Sequence, residues 1–186
     1  MKTWLFLTLF FTGYCFGGEA QPAVQKPLSA DSILKTAMAK AARENKNLLV
    51  MFKASWCTWC HKMDSSINDR QCKASFDDNY VICRLVVQES KTKKNLENPG
   101  AEDLFTKYSG PDLGLPLWLI LDKNGNLLAD SQIRKEGDGL DKKGENTGCP
   151  TAPPEVKYFI SVLKKTSHMS GAELGAVEKR FLENEP

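Results

Sequence analysis

Much is missing from this sequence, and each absence closes a possibility. The formal net charge is only +2 and the lysines and arginines form no sustained patch, so the electrostatic footprint of a nucleic-acid binder is lacking. There are two histidines, far apart, and a single Cys-x-x-Cys. A structural zinc site ordinarily takes four ligands, and no second Cys-x-x-Cys or paired histidines accompany this one. Beyond the N-terminus no apolar run approaches the roughly 20 residues of a transmembrane helix. No internal repeat is visible. What remains is a 186-residue chain, long enough to bury the core of one domain without disulfide staples.

The N-terminus has the pattern of a secretory signal. Lys2 supplies the positive start, residues 4–11 are almost wholly apolar, and a small-residue region ends at Gly17-Gly18-Glu19-Ala20. Cleavage is placed after Ala20. A lipid-modified Cys15 is the rival reading, but Tyr14 is bulky where lipoprotein signals carry a small residue. The chain therefore divides into a leader (1–20), a proline-bearing tether (21–30) and one domain (31–186), with export to the periplasm or cell envelope expected. Removal of Cys15 leaves Cys57, Cys60, Cys72, Cys83 and Cys149. With an odd count, at least one thiol is free or pairs outside the molecule.

The chain is organised around residues 47–63. Residues 48–52 are short, aliphatic and bounded by polar residues, which suits a strand buried on both faces. Ala54-Ser55 breaks the pattern, and Cys57-Thr58-Trp59-Cys60 opens a helix. A sulfur at that point sits beside unpaired backbone N–H groups and the positive end of the helix dipole, which favours its thiolate. The second sulfur lies one turn on, within reach of the first. Such a pair is a dithiol/disulfide switch.

The remaining pattern alternates helices and strands. Ser29 or Asp31 caps a helix with apolar positions Ile33, Leu34, Ala37, Met38, Ala41 and Ala42. A short helix over 71–76 precedes a β-branched strand over 80–87. Residues 89–100 are polar and lysine-rich and read as a solvated loop; a helix over 101–108 follows. Strands over 117–121 and 127–133 are joined through Asn124-Gly125, a hairpin signal because both residues tolerate positive φ. Residues 122–126 resemble the start of a calcium loop, but Leu127 stands where such a loop needs glycine. Residues 134–150 form a long aperiodic loop of the kind that borders an active site or a partner. Pro153-Pro154-Glu155 opens a helix, and Ser170 with Glu173 is a capping-box pattern for a last one. This order specifies an α/β fold, a mixed sheet covered on both faces.

The segment Val50-Met-Phe-Lys-Ala-Ser-Trp-Cys-Thr-Trp-Cys60, together with Gly114-Leu-Pro116 before a later strand, resembles the thioredoxin-fold family. It is most similar to the bacterial envelope branch that includes the C-terminal domain of the disulfide-interchange reductase DsbD. The resemblance runs with falling specificity from about residue 31 to 163, leaving the last helix as an extension. It implies that Cys57 attacks a partner disulfide and that Cys60 resolves the mixed disulfide. It implies further that Pro116 is cis and faces the sulfurs. Trp56 and Trp59 would form an apolar rim, and the Leu115 backbone could pair with an extended substrate. Trp56 and Trp59 could be ordinary core aromatics, but their place flanking the reactive sulfur favours the rim; a proline at the mouth of a strand is tolerated anyway. One departure stands out: thioredoxins carry a buried acid six residues before the first cysteine, and here that residue is Met51. Lys53, a neighbouring carboxylate or water would then take its part in proton transfer, or turnover is slower.

The expected activity is exchange with protein thiols and disulfides, with no cofactor, and with a membrane electron donor as a second partner. Two other classes stay open. One is a non-catalytic binding module on the same fold. The other is covalent haem attachment, since Cys57-Thr-Trp-Cys-His61 literally matches that motif. A cytochrome of that kind would have little use for the strands over 81–87 and 117–133.

Overall fold

The computed structural model describes residues 26–109 and 113–184. The leader, its cleavage point after Ala20 and Cys15 lie outside the described residues. Leu48 to Phe52 are all fully buried in β1 (Asn47–Lys53), because the strand has neighbours on both edges and packed side chains on both faces. It pairs in parallel with β2 (Tyr80–Val86) and antiparallel with β3 (Leu117–Leu121), which in turn pairs antiparallel with β4 (Leu127–Asp130). The sheet order is β2-β1-β3-β4. Alternation divides the core in two. Leu48, Val50 and Phe52 join Leu117, Leu119 and Leu121 under α1 (Ala30–Glu44) and α4 (Ala101–Ser109). Leu49 and Met51 join Trp118 and Ile120 on the opposite face. That face is covered by α2 (Thr58–Ile67), α3 (Lys73–Asn79), α5 (Pro153–Thr166) and α6 (Gly171–Leu182).

The helix ends follow their sequence signals. Ser29 caps α1, accepting the Ser32 N–H, and Asn45 closes it with a φ of 50°. Ser170 and Glu173 form the reciprocal capping box of α6. The extension is part of the core: Phe181 is fully buried, its ring 4.9 Å from that of Phe159.

Five details differ from the sequence expectation, each for a local reason. The helix expected over 71–76 forms two residues later, because Asp69 accepts the N–H groups of Gln71, Cys72 and Lys73 in a turn that occupies those positions. The strand expected over 127–133 breaks after Asp130. There Asp130 accepts both Arg134 Nη1 and Nη2 (2.7 and 2.6 Å) and the Gln132 N–H, which turns the chain away from β3. Gln132–Ile133 (β5) then pairs with Glu145–Asn146 (β6) inside the segment expected to be an irregular loop. In the hairpin only Gly125 adopts positive φ, while the Asp122 carboxylate accepts the Asn124 and Asn126 N–H groups. Finally, residues 89–100 are not simply solvated: they hold a 3-10 helix (Lys91–Leu96) and a buried acid, Glu89.

Candidate active site

The site begins where β1 ends. The Ala54 carbonyl accepts the Cys57 N–H at 3.2 Å, turning the chain into α2. Cys57 is the N-cap of that helix, and its Sγ accepts the Cys60 N–H at 3.1 Å. A sulfur thus occupies the place usually taken by a serine or aspartate oxygen, on an otherwise unpaired helix donor. Cys57 and Cys60 are joined by a disulfide, with Cα atoms 5.3 Å apart. The pair is enclosed: Cys57 is 3% exposed and Cys60 is sealed. Half-buried Trp59 and Leu115 cover them, forming one cluster with Ala54. Pro116 follows a cis peptide bond and is buried.

The two tryptophans have separate settings. Trp56 is 57% exposed, and its indole N–H donates to the Gln88 carbonyl at 2.7 Å. Trp59 lies between the sulfurs and the α5–α6 core, with the Lys62 ammonium 4.2 Å from its ring centre. On its far side is a groove of about 420 Å³, lined by Leu113, Leu115, Asn146, Thr147, Cys149 and Glu155 among others. Residues 146–149 of the long loop therefore line this groove together with Trp59 and Leu115. Asn146 fastens it there, donating to the carbonyls of Gly114 (2.8 Å) and Pro116 (3.2 Å). The Thr147 hydroxyl faces no hydrogen-bonding partner although it is buried.

His61 and Lys53, each four positions from Cys57, are engaged elsewhere. His61 Nε2–H donates to the Ser55 carbonyl at 3.0 Å, so the last residue of the Cys-x-x-Cys-His run is turned back onto its own loop. Lys53 pairs with Asp64, which also accepts Arg84 Nε at 2.6 Å. Burial works against ionisation of Asp64, but the hydrogen bonds from Lys53 and Arg84 overcome it and hold the carboxyl below its usual range. Met51, at the position of the absent acid, is a fully buried core residue.

The other thiols in the described part are unpaired and buried. Burial pushes Cys83 and Cys149 up to about 12 and Cys72 to about 11. Among the described residues no group of three or more His, Cys, Asp or Glu is placed to hold a metal ion, and no helix is long and apolar enough to cross a membrane.

A family model described as thioredoxin-like matches residues 30–123. The chain belongs to the thioredoxin-like family. The match takes in β1, the dithiol and the cis-proline strand, and stops inside the hairpin after β3. No curated protein matches the sequence. Among solved structures, the disulphide isomerase from Xylella fastidiosa Temecula1 is 19% identical, covering 88% of this chain and 96% of its own, with a TM-score of 0.48. The DsbD C-terminal domain of Neisseria meningitidis, in its oxidised form, is 16% identical over 75% of this chain and 98% of that one, TM-score 0.42. A DsbH oxidoreductase is 20% identical, covering 82% and 95%, TM-score 0.39. In a thioredoxin-like domain, Cys57 and Cys60 bonded at the head of α2 fit a redox-active dithiol and support protein-disulfide oxidoreductase activity.

Three contributors were not read from sequence. Glu89 sits in a run whose composition signals only solvent, and Asn146 and Thr147 lie in a loop without periodicity. Their neighbours come from distant parts of the chain, so no local signal marks them.

Proposed function

We propose that this chain is an exported protein-disulfide oxidoreductase that reduces or isomerises disulfides of other proteins in the cell envelope. The observation that carries the reading is Cys57 as N-cap of α2, its sulfur on the Cys60 N–H. In the reduced protein the Cys57 thiolate attacks one sulfur of a partner disulfide, and the partner's other sulfur leaves as thiolate. Cys60, deprotonated, then attacks Cys57 Sγ, the partner's second thiolate leaves, and the Cys57–Cys60 bond closes. Two electrons pass from the dithiol to the partner, and a dithiol donor at the membrane returns them. Leu115 and Trp59 border the groove where an extended partner segment would lie, Pro116 following Leu115 through the cis bond, and exposed Trp56 would form the outer rim. Export rests on the leader pattern of residues 1–20, with lipid attachment at Cys15 as the alternative form.

The protein-disulfide step is tested with insulin as substrate and dithiothreitol as terminal reductant. The wild type is expected to accelerate reduction, and Cys57→Ser to abolish the acceleration. Cys60→Ser should stall as a mixed disulfide on Cys57, visible as an added insulin chain by mass spectrometry. Wild-type rates equal to dithiothreitol alone would leave a binding module as the better reading of the same fold.

A further inference from the structure

Only 4% of Glu89 is exposed, although it stands in a polar segment just after β2. Its carboxylate accepts two hydrogen bonds from one residue, Ser55: the N–H at 2.5 Å and the hydroxyl at 2.8 Å. Burying a carboxylate is costly unless hydrogen bonds replace its hydration. Here the bonds replacing it come from the turn that delivers the chain from β1 to Cys57. The same turn is held from other sides: His61 donates to the Ser55 carbonyl, Lys93 Nζ lies 3.4 Å from Ser55 Oγ, and Trp56 donates to Gln88. Gln88 itself adopts a φ of 53°, which folds Glu89 inward. The Glu89 N–H donates to Glu97 Oε1 at 2.7 Å, an oxygen that also pairs with Lys94. The clamp is therefore anchored at its base.

We propose that Glu89 is a positioning residue for the dithiol, fixing residues 55–57 so that the Cys57 sulfur sits on the helix N-terminus. The inference rests on the reading of Cys57 as the attacking sulfur. Glu89 acts on the Cys57 thiolate in two opposed ways. Holding the turn favours the thiolate, because the sulfur stays on the helix donors. The negative charge nearby disfavours it. The other charged groups fastened around this turn are His61, Lys93, Lys94 and Glu97, with Lys62 across the Trp59 ring and the Lys53–Asp64 pair below.

Glu89→Gln and Glu89→Ala separate the two effects, because both remove the charge and only Gln keeps hydrogen-bonding groups for Ser55. The measurement is the pH dependence of Cys57 alkylation in protein reduced beforehand with dithiothreitol. Cys57 is expected to titrate at higher pH in the Ala variant than in the Gln variant. Its alkylation at pH 7 should be slower by a factor of about 2–5, the worth of a helix terminus to an adjacent charge. The wild type should titrate above the Gln variant. If folded Ala and Gln variants titrate alike, Glu89 is structural only and the inference is overturned. If the Ala variant does not fold, Ser55→Ala carries the test: with the charge kept and one bond lost, Cys57 must titrate above wild type, and an unchanged titration overturns the inference. The titration reads Cys57 whether or not the protein exchanges disulfides, so failure here and failure of the insulin assay are separate results.

Discussion

Five thiols of one chemical type sit in the domain, and their surroundings assign them different chemistry. Cys57 has a helix N–H on its sulfur and Cys60 one turn away, while Cys72, Cys83 and Cys149 are buried with their thiols pushed up to about 11, 12 and 12. A raised thiol pKa means fewer thiolates at any given pH, and the thiolate is the nucleophile. Native, reduced protein at pH 7 is therefore expected to take up one alkyl group rapidly, on Cys57. The three buried thiols should react only after denaturation. Peptide mapping by mass spectrometry checks this, and rapid labelling of Cys149, which lines the groove, would contradict it. At this scale the sequence was legible where a motif carries the chemistry. Cys57 and Cys60 stand out by spacing and Pro116 by the family resemblance, whereas Glu89 is one acid among many until β2 returns it to Ser55.

Between elements, Asp64 is the most connected charge. It lies on α2 and receives Lys53 from β1 and Arg84 from β2, so one carboxylate ties the active-site helix to two adjacent strands. Its folded-state pKa is depressed, so its contribution to stability is present above the usual carboxyl pKa and is lost as pH falls through the lower folded value. Asp64→Asn should cost about 1–3 kcal/mol at pH 7, the range for hydrogen bonds to charged groups. The difference from wild type should shrink as pH falls below about 4. Urea unfolding at pH 7 and pH 3 compares the two, and an equal gap at both would show that the charge is not what matters. The C-terminal extension makes a second claim at this scale. Phe181 of α6 is sealed against Phe159 of α5, so Phe181→Ala should destabilise the whole domain by about 3–5 kcal/mol in a single unfolding transition. A separate early transition for α6 would instead make it an appendage. The capping box and the apolar spacing announced this helix; that it belongs to the core could not be read, because its partner Phe159 lies on another helix. The break after Asp130 was hidden in the same way, since it depends on a buried Arg134 fork rather than on a local breaker.

For the molecule as a whole, the sheet divides the core into two apolar halves, and Trp59 and Leu115, which cover the dithiol, line one groove with the 146–149 loop. This α/β order was legible from periodicity alone. The strength of the redox couple was not, because it depends on where cations point. Thr58 and Trp59 carry no positive charge, and the basic residues near the motif are engaged, His61 with the Ser55 carbonyl, Lys53 with Asp64 and Lys62 over the Trp59 ring. Strong oxidants depend on unusual stabilisation of the first thiolate, and nothing beyond the helix terminus supplies it here. A reducing or isomerising couple is therefore expected. Equilibration of Cys57/Cys60 with glutathione buffers, read by mass after acid quenching and alkylation, measures it directly. A potential nearer roughly −270 mV than roughly −120 mV is predicted. A value above about −160 mV would contradict the reductive assignment, and a pair that never equilibrates with the buffer would contradict the dithiol mechanism itself.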